Sequence, residues 1–175
     1  AGVRVSEICL GTMTFGLEAD EPEAFRIMDA SVEAGVNFFD TADIYTRGQS
    51  EEIIGRWLKD RHHDIVLASK VHFPASKDVN DRGNSRLHIV RGVEGILKRL
   101  QRDCLEILYL HHWDDHTALE ESLAAMTDLR AQGKILYCAV SNFSAWQTMK
   151  AIAVAKSGGY APIVLIQPQY NLVKR

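Results

Sequence analysis

Six short apolar runs, each followed by a helical period, recur along the chain and leave few folds open to it. The runs 7–10, 36–39, 65–68, 107–110, 135–140 and 163–166 have the length and continuity of strands buried on both faces. Between them, apolar residues fall at helical spacing. Ala24, Ile27, Met28, Ser31 and Val32 form one stripe, opened by Asp20 with Glu23 three residues on and closed at Gly35. Ser50 is expected to cap "EEIIGRWLK", and Ser85 a helix striped by Val90, Val93, Leu97 and Leu100. Thr117 with Glu120 reads as a capping box before Leu123, Met126 and Leu129, and Ser144 as the cap of Trp146 to Lys156. Strict alternation of strand and helix demands a parallel sheet, either open and doubly wound or closed as a barrel.

The residues that end the strands choose between these. In order they are Gly11-Thr12, Asp40, Lys70, His111, Ser141-Asn142 and Gln167, so one edge of the sheet collects the polar and ionisable groups. That is the barrel plan, in which several strands deliver chemistry from their C-terminal ends. An open dinucleotide-binding sheet would carry G-x-G-x-x-G after its first strand, and "CLGTMTFG" does not supply it. The expected fold is therefore α/β, a (β/α)8 TIM-barrel type of which this chain holds about six units. No linker or low-complexity tract divides residues 1–175, which read as one domain; the one long loop is 73–84, "FPASKDVNDRGN". A complete barrel takes about 200 residues or more, so the domain is expected to be incomplete at its C-terminal side.

Charge narrows the partners. A net charge of -3 with acidic and basic residues interleaved offers no stripe for nucleic acid or an anionic membrane. No apolar run approaches a bilayer span, and the start "AGVRVSEICLG" has no export-signal pattern. Cys9, Cys104 and Cys138 are odd in number, far apart and each within an apolar run, as buried free thiols of a reducing cytoplasm would be.

The chemistry lies at the strand ends. A phenol is a poor proton donor or acceptor at neutrality until a nearby cation stabilises its phenolate. Lys70 can be that cation for Tyr45, Asp40 can hold Lys70 by a charge-assisted hydrogen bond, and His111 can orient or polarise a carbonyl oxygen. This is an acid/base group for carbonyl reduction, and hydride must then come from a cofactor. Taken singly, each residue has a plainer reading: Asp40 as a turn residue, Lys70 as a solvated strand end, His111 as a core histidine, Asn142 as a turn former. "HHWDDH" also invites a metal-dependent hydrolase, but the neighbouring strand ends offer a lysine and Gly11-Thr12 where further ligands would be needed. A Schiff-base role for Lys70 would leave Tyr45 and the Ser141, Asn142 and Gln167 set without employment.

The strings "LGTMTFG", "FFDTADIY", "SEEIIG", "VLASK", "LEILYLHHWD", "LEESL", "QGKILYCAVSNFS" and "QPQYN", in this order and spacing, resemble the aldo-keto reductase family. The resemblance implies an NAD(P)H-dependent reductase acting on a small carbonyl substrate, with NADP expected and NAD not set aside. By similarity, Asp40, Tyr45, Lys70 and His111 match the catalytic tetrad, with Tyr45 as proton donor. Ser141, Asn142 and Gln167 match residues that bind the nicotinamide carboxamide; Gly11, Thr12, Met13 and Asp40 lie in segments beside the cofactor. Of the adjacent histidines, the longer register through Trp113-Asp114 selects His111 over His112, and strand alternation admits only one to the barrel mouth. A non-catalytic, sensor-like relative, similar to the reductase-like β-subunits of potassium channels, is the alternative. If the chain ends after six strands, its first and sixth keep open edges, inviting self-association and leaving the isolated chain inactive.

Overall fold

The protein is described by a computed structural model covering residues 1–60, 64–74 and 76–173. Ala75, inside the expected 73–84 loop, lies outside the described residues. Six strands, β1 (Leu10–Gly11), β2 (Phe38–Asp40), β3 (Val66–Val71), β4 (Leu105–Leu110), β5 (Ile135–Ser141) and β6 (Ile163–Gln167), pair in sequence order, and every pairing is parallel. The helices α1 (Glu21–Glu33), α2 (Gln49–Asp60), α3 (Arg86–Leu100), α4 (Leu119–Ala131) and α5 (Ala145–Gly158) provide the crossovers. The result is a curled, partial (β/α)8 barrel. Among the described residues no pairing joins β6 back to β1, so these are its two edges.

Two apolar layers hold it. Residues such as Phe39, Leu67, Leu108 and Val140 face the helices and pack in one large cluster with Met28, Trp57, Ile96 and Met126. A smaller cluster, Phe38, Ala68, Ile107, Tyr109 and Ala139, fills the concave side. Successive strand side chains alternate between faces. The concave parity therefore continues two residues on from Phe38, Ala68, Tyr109, Ala139 and Leu165 to Asp40, Lys70, His111, Ser141 and Gln167.

Several local expectations need correction. The first strand is only Leu10–Gly11 rather than starting at Glu7, because the Ser6 hydroxyl donates to the Ile8 carbonyl at 2.7 Å and turns the chain there. Asp20, Ser85 and Ser144 do cap their helices, Ser144 in a reciprocal box with Gln147. Ser50 does not, since α2 already begins at Gln49; its buried hydroxyl donates to the Thr12 carbonyl at 2.9 Å and bonds the Thr12 and Thr41 hydroxyls. Thr117 does not cap α4 either. Its hydroxyl goes to Asp114 Oδ2 at 2.7 Å, and Ala118 occupies the cap position without a side-chain bond. Cys138 is buried, but Cys104 is only partly covered, and Cys9 is exposed just before the edge strand β1.

Candidate active site

β2, β3 and β4 bring four side chains together at their C-terminal ends. Lys70 is fully buried, and its ammonium donates to Asp40 Oδ1, to the Thr41 carbonyl at 2.9 Å and to the Tyr45 hydroxyl at 3.1 Å. An ammonium in that position must find oxygen partners, and three oxygens surround it. Burial pushes the Asp40 carboxyl above its ordinary value, against the Lys70 cation and a bond from Gln167 that favour the carboxylate. Tyr45 is half-buried on a short 3-10 turn, Tyr45–Gly48, between β2 and α2.

His111 follows β4 on the concave side, its ring edge-on to Tyr45 with centroids 6.0 Å apart. Burial chiefly, then the Lys70 charge and the neighbouring His72 and His112, push its pKa down to about 3. The imidazole is therefore neutral at physiological pH. The chain around it is pinned: His111 N–H donates to the Val71 carbonyl at 3.0 Å, and Asn142 Nδ2 donates to the His111 carbonyl at 3.0 Å. His112 is exposed, its Nδ1 2.9 Å from the Trp113 carbonyl.

Ser141, Asn142 and Gln167 stand together at the ends of β5 and β6. Ser141 Oγ lies 3.1 Å from the Gln167 carbonyl and 3.4 Å from its Oε1, and Asn142 Nδ2 is 3.2 Å from Ser141 Oγ. Asn142 has a φ of 56°, a left-handed conformation that asparagine tolerates, which turns its amide back over β4. Gly11 ends β1 with nothing within 4 Å of where a Cβ would stand. Thr12 is buried, donating to the Asp40 carbonyl at 3.0 Å, whereas Met13 is 63% exposed.

The sequence alone did not point to Phe73 or Asn84. Phe73 stacks edge-on to His111 at 4.9 Å. Asn84, 3% exposed, binds His72 Nδ1 through Oδ1 at 2.9 Å and donates to the His112 carbonyl at 2.9 Å, while its N–H donates to Asp114 at 2.8 Å. Only the position of Asn84 before a helix cap was a signal, and it suggests a turn rather than a tie between strands. Asp114 thus binds Asn84, His116 and Thr117. Among the described residues no three His, Cys, Asp or Glu side chains gather closely enough to hold a metal ion, and no helix is long and apolar enough to cross a membrane.

A partial parallel barrel thus presents a buried carboxyl–ammonium pair, a phenol and a neutral imidazole at one rim. The chain belongs to the Aldo/keto reductase family, whose sequence profile matches residues 7–175. It is 43% identical to an oxidoreductase of Bacillus subtilis (strain 168), YrpG, itself described as uncharacterized, over 99% of this chain and 57% of that protein. It is 39% identical to a probable voltage-gated potassium channel subunit beta of Oryza sativa subsp. japonica, over 100% of this chain and 54% of that protein. A norsolorinic acid reductase of Aspergillus flavus is 36% identical over 100% of this chain and 49% of its own length. The chain thus spans about half the length of these curated relatives.

Proposed function

We propose that the protein is an NAD(P)H-dependent oxidoreductase that reduces small aldehydes or ketones to alcohols, with Tyr45 as the proton donor. The observation that carries this reading is the Lys70 ammonium 3.1 Å from the Tyr45 hydroxyl, with Asp40 on its other side. As a proton leaves the phenol, negative charge develops on its oxygen beside a fixed cation held in a dry site, which lowers the barrier to transfer. Asp40 keeps Lys70 in place. His111, neutral, is placed to hydrogen-bond a carbonyl oxygen held against Tyr45.

Residues of this chain suit a nicotinamide cofactor. Ser141, Gln167 and Asn142 offer the hydroxyl and amide groups a carboxamide needs, and the open space at Gly11 suits a flat ring against the backbone. Bound there, the reduced cofactor supplies the hydride; NADP is our first choice, and NAD the competing one. The domain, residues 1–175, would then be the catalytic part of a cytoplasmic enzyme. Oxidation of NADPH, followed with a panel of aldehydes and ketones on the full-length protein, tests the reading. Substrate-dependent turnover supports it, and its absence with every carbonyl sinks it. The rice relative, a probable channel subunit beta, fits in part a second reading, a non-catalytic, sensor-like cofactor-binding protein, which would bind the cofactor without reducing carbonyls.

A further inference from the structure

The turn that carries Tyr45 is unusual in its backbone. Thr46 and Arg47 have φ of 47° and 57°, and Gly48 follows at 89°, so three residues in succession are left-handed. Non-glycine residues resist that region, and such a run persists only where its surroundings hold it. One restraint is the Thr46 hydroxyl, which donates to the Phe15 carbonyl at 2.9 Å.

The other comes from behind. A Cβ on Gly48 would stand 2.7 Å from Arg99 Cδ and 2.9 Å from its Nε, and one on Gly95 would stand 3.0 Å from its Nη1. The Arg99 side chain therefore lies in a slot between two glycines, directly against the turn. Its Nε donates to Glu51 Oε2 at 2.6 Å. Glu51 is fully buried, and its other oxygen accepts from Ser69 Oγ at 2.5 Å. Ser69 is the residue before Lys70 on β3. The network therefore ties the Tyr45 turn, through α3 and α2, to the strand that carries the cation.

An ordinary packing role explains this poorly. The Glu51 carboxylate loses its water entirely while the Arg99 side chain keeps 26% of its exposure, so the pair's attraction is offset by the cost of burying the acid. What it does supply is a fixed geometry. Asp43, buried just before the turn, is near enough to feel the charges of both Glu51 and Arg99.

We infer that Arg99, paired with Glu51, is a positioning residue: it holds the left-handed turn so that the Tyr45 hydroxyl stays in hydrogen-bond contact with Lys70. The catalytic side of this inference rests on the proposed reductase reading; the structural side does not.

The test uses the full-length protein with Arg99→Met, Arg99→Lys and Glu51→Gln. Hydrogen exchange over residues 42–50 reports the turn without any turnover. Arg99→Met should speed it at least about tenfold while β4 and β5 stay protected, local opening being distinct from global unfolding. With carbonyl substrate and NADPH, Arg99→Met should lower kcat by about 10²-fold, the scale of a 1 Å misplacement. KM and cofactor affinity should stay within about twofold, and Arg99→Lys should recover most of the loss. Unchanged exchange overturns the inference, as does a loss spread equally over kcat, cofactor affinity and melting temperature. Should Arg99→Met not fold, Glu51→Gln decides, because it keeps the arginine stem in its slot and must still loosen the turn. If the wild type reduces no carbonyl, the reductase reading fails, and the exchange result still settles whether Arg99 holds the turn.

Discussion

The rings of Tyr45 and His111 meet edge to face at 80°, with centroids 6.0 Å apart, while His112, the next residue, is exposed. The two histidines should therefore differ sharply on mutation. His111→Gln is expected to lower kcat for carbonyl reduction about 10- to 10²-fold, and His112→Ala to change it less than twofold. Steady-state kinetics of the pair check this. Equal effects would contradict the placement of function on His111.

The same imidazole gives a pH signature. Its folded pKa near 3 lies below the ordinary 6.5, so between these values the unfolded chain takes up a proton that the folded one refuses. The contribution is intact above about pH 6.5 and is lost as pH falls toward 3. Urea unfolding of wild type and His111→Gln at pH 7 and pH 5 should show the smaller acid loss in the variant.

Tyr45→Phe keeps the ring against His111 and removes the acid. The expected loss in carbonyl reduction is about 10²-fold or more, with cofactor affinity nearly unchanged. Retained turnover would move the proton donor elsewhere.

Asp43 titrates in the opposite sense. Burial first, then Glu51 nearby, pushes its carboxyl up from 3.8 to about 8, with Arg99 opposing and Asp81 adding. The folded state keeps the proton after the unfolded chain has released it, so this contribution is fullest below about pH 3.8 and is lost as pH rises to about 8, by at most about 1.4 kcal/mol per pH unit. Asp43→Asn should flatten stability between pH 5 and pH 8. Denaturant curves at both pH values would show it, and an undiminished slope would refute it.

Asn84 ties the ends of β3 and β4 to the loop before α3. Asn84→Ala leaves the partly buried His112 carbonyl and His72 Nδ1 without their partner, so a loss of about 1–3 kcal/mol for the two bonds is expected, measurable by thermal or urea melts. A neutral result would mean that water replaces both bonds.

Among the described residues β1 and β6 are the sheet's two unpaired edges, and Ile166 on β6 is 54% exposed. Residues 1–175 prepared alone should self-associate in sedimentation, because unpaired edges with apolar side chains accept a partner strand. A single monomeric species would count against this.

The parallel α/β architecture was legible in the sequence because it rests on periods. Apolar runs at strand length and stripes at helical spacing are set by local geometry, and each buried face needs a partner. The strand-end residues could be read for the same reason: alternation puts Asp40, Lys70, His111, Ser141 and Gln167 two places beyond the concave apolar residues. Other features were decided only by the assembled structure. Ser50 reads as a helix cap, yet the start of α2 meets the segments that follow β1 and β2, and its hydroxyl goes to Thr12 and Thr41. Thr117 reads as a cap as well, yet Asp114 takes its hydroxyl. The left-handed turn after Tyr45, the slot for Arg99 and the Asn84 tie leave little local trace. Apart from Gly95, their partners lie from 12 to 51 residues away, and such contacts exist only once the helices have docked, when burial makes every unpaired polar group costly and selects the arrangement that satisfies it.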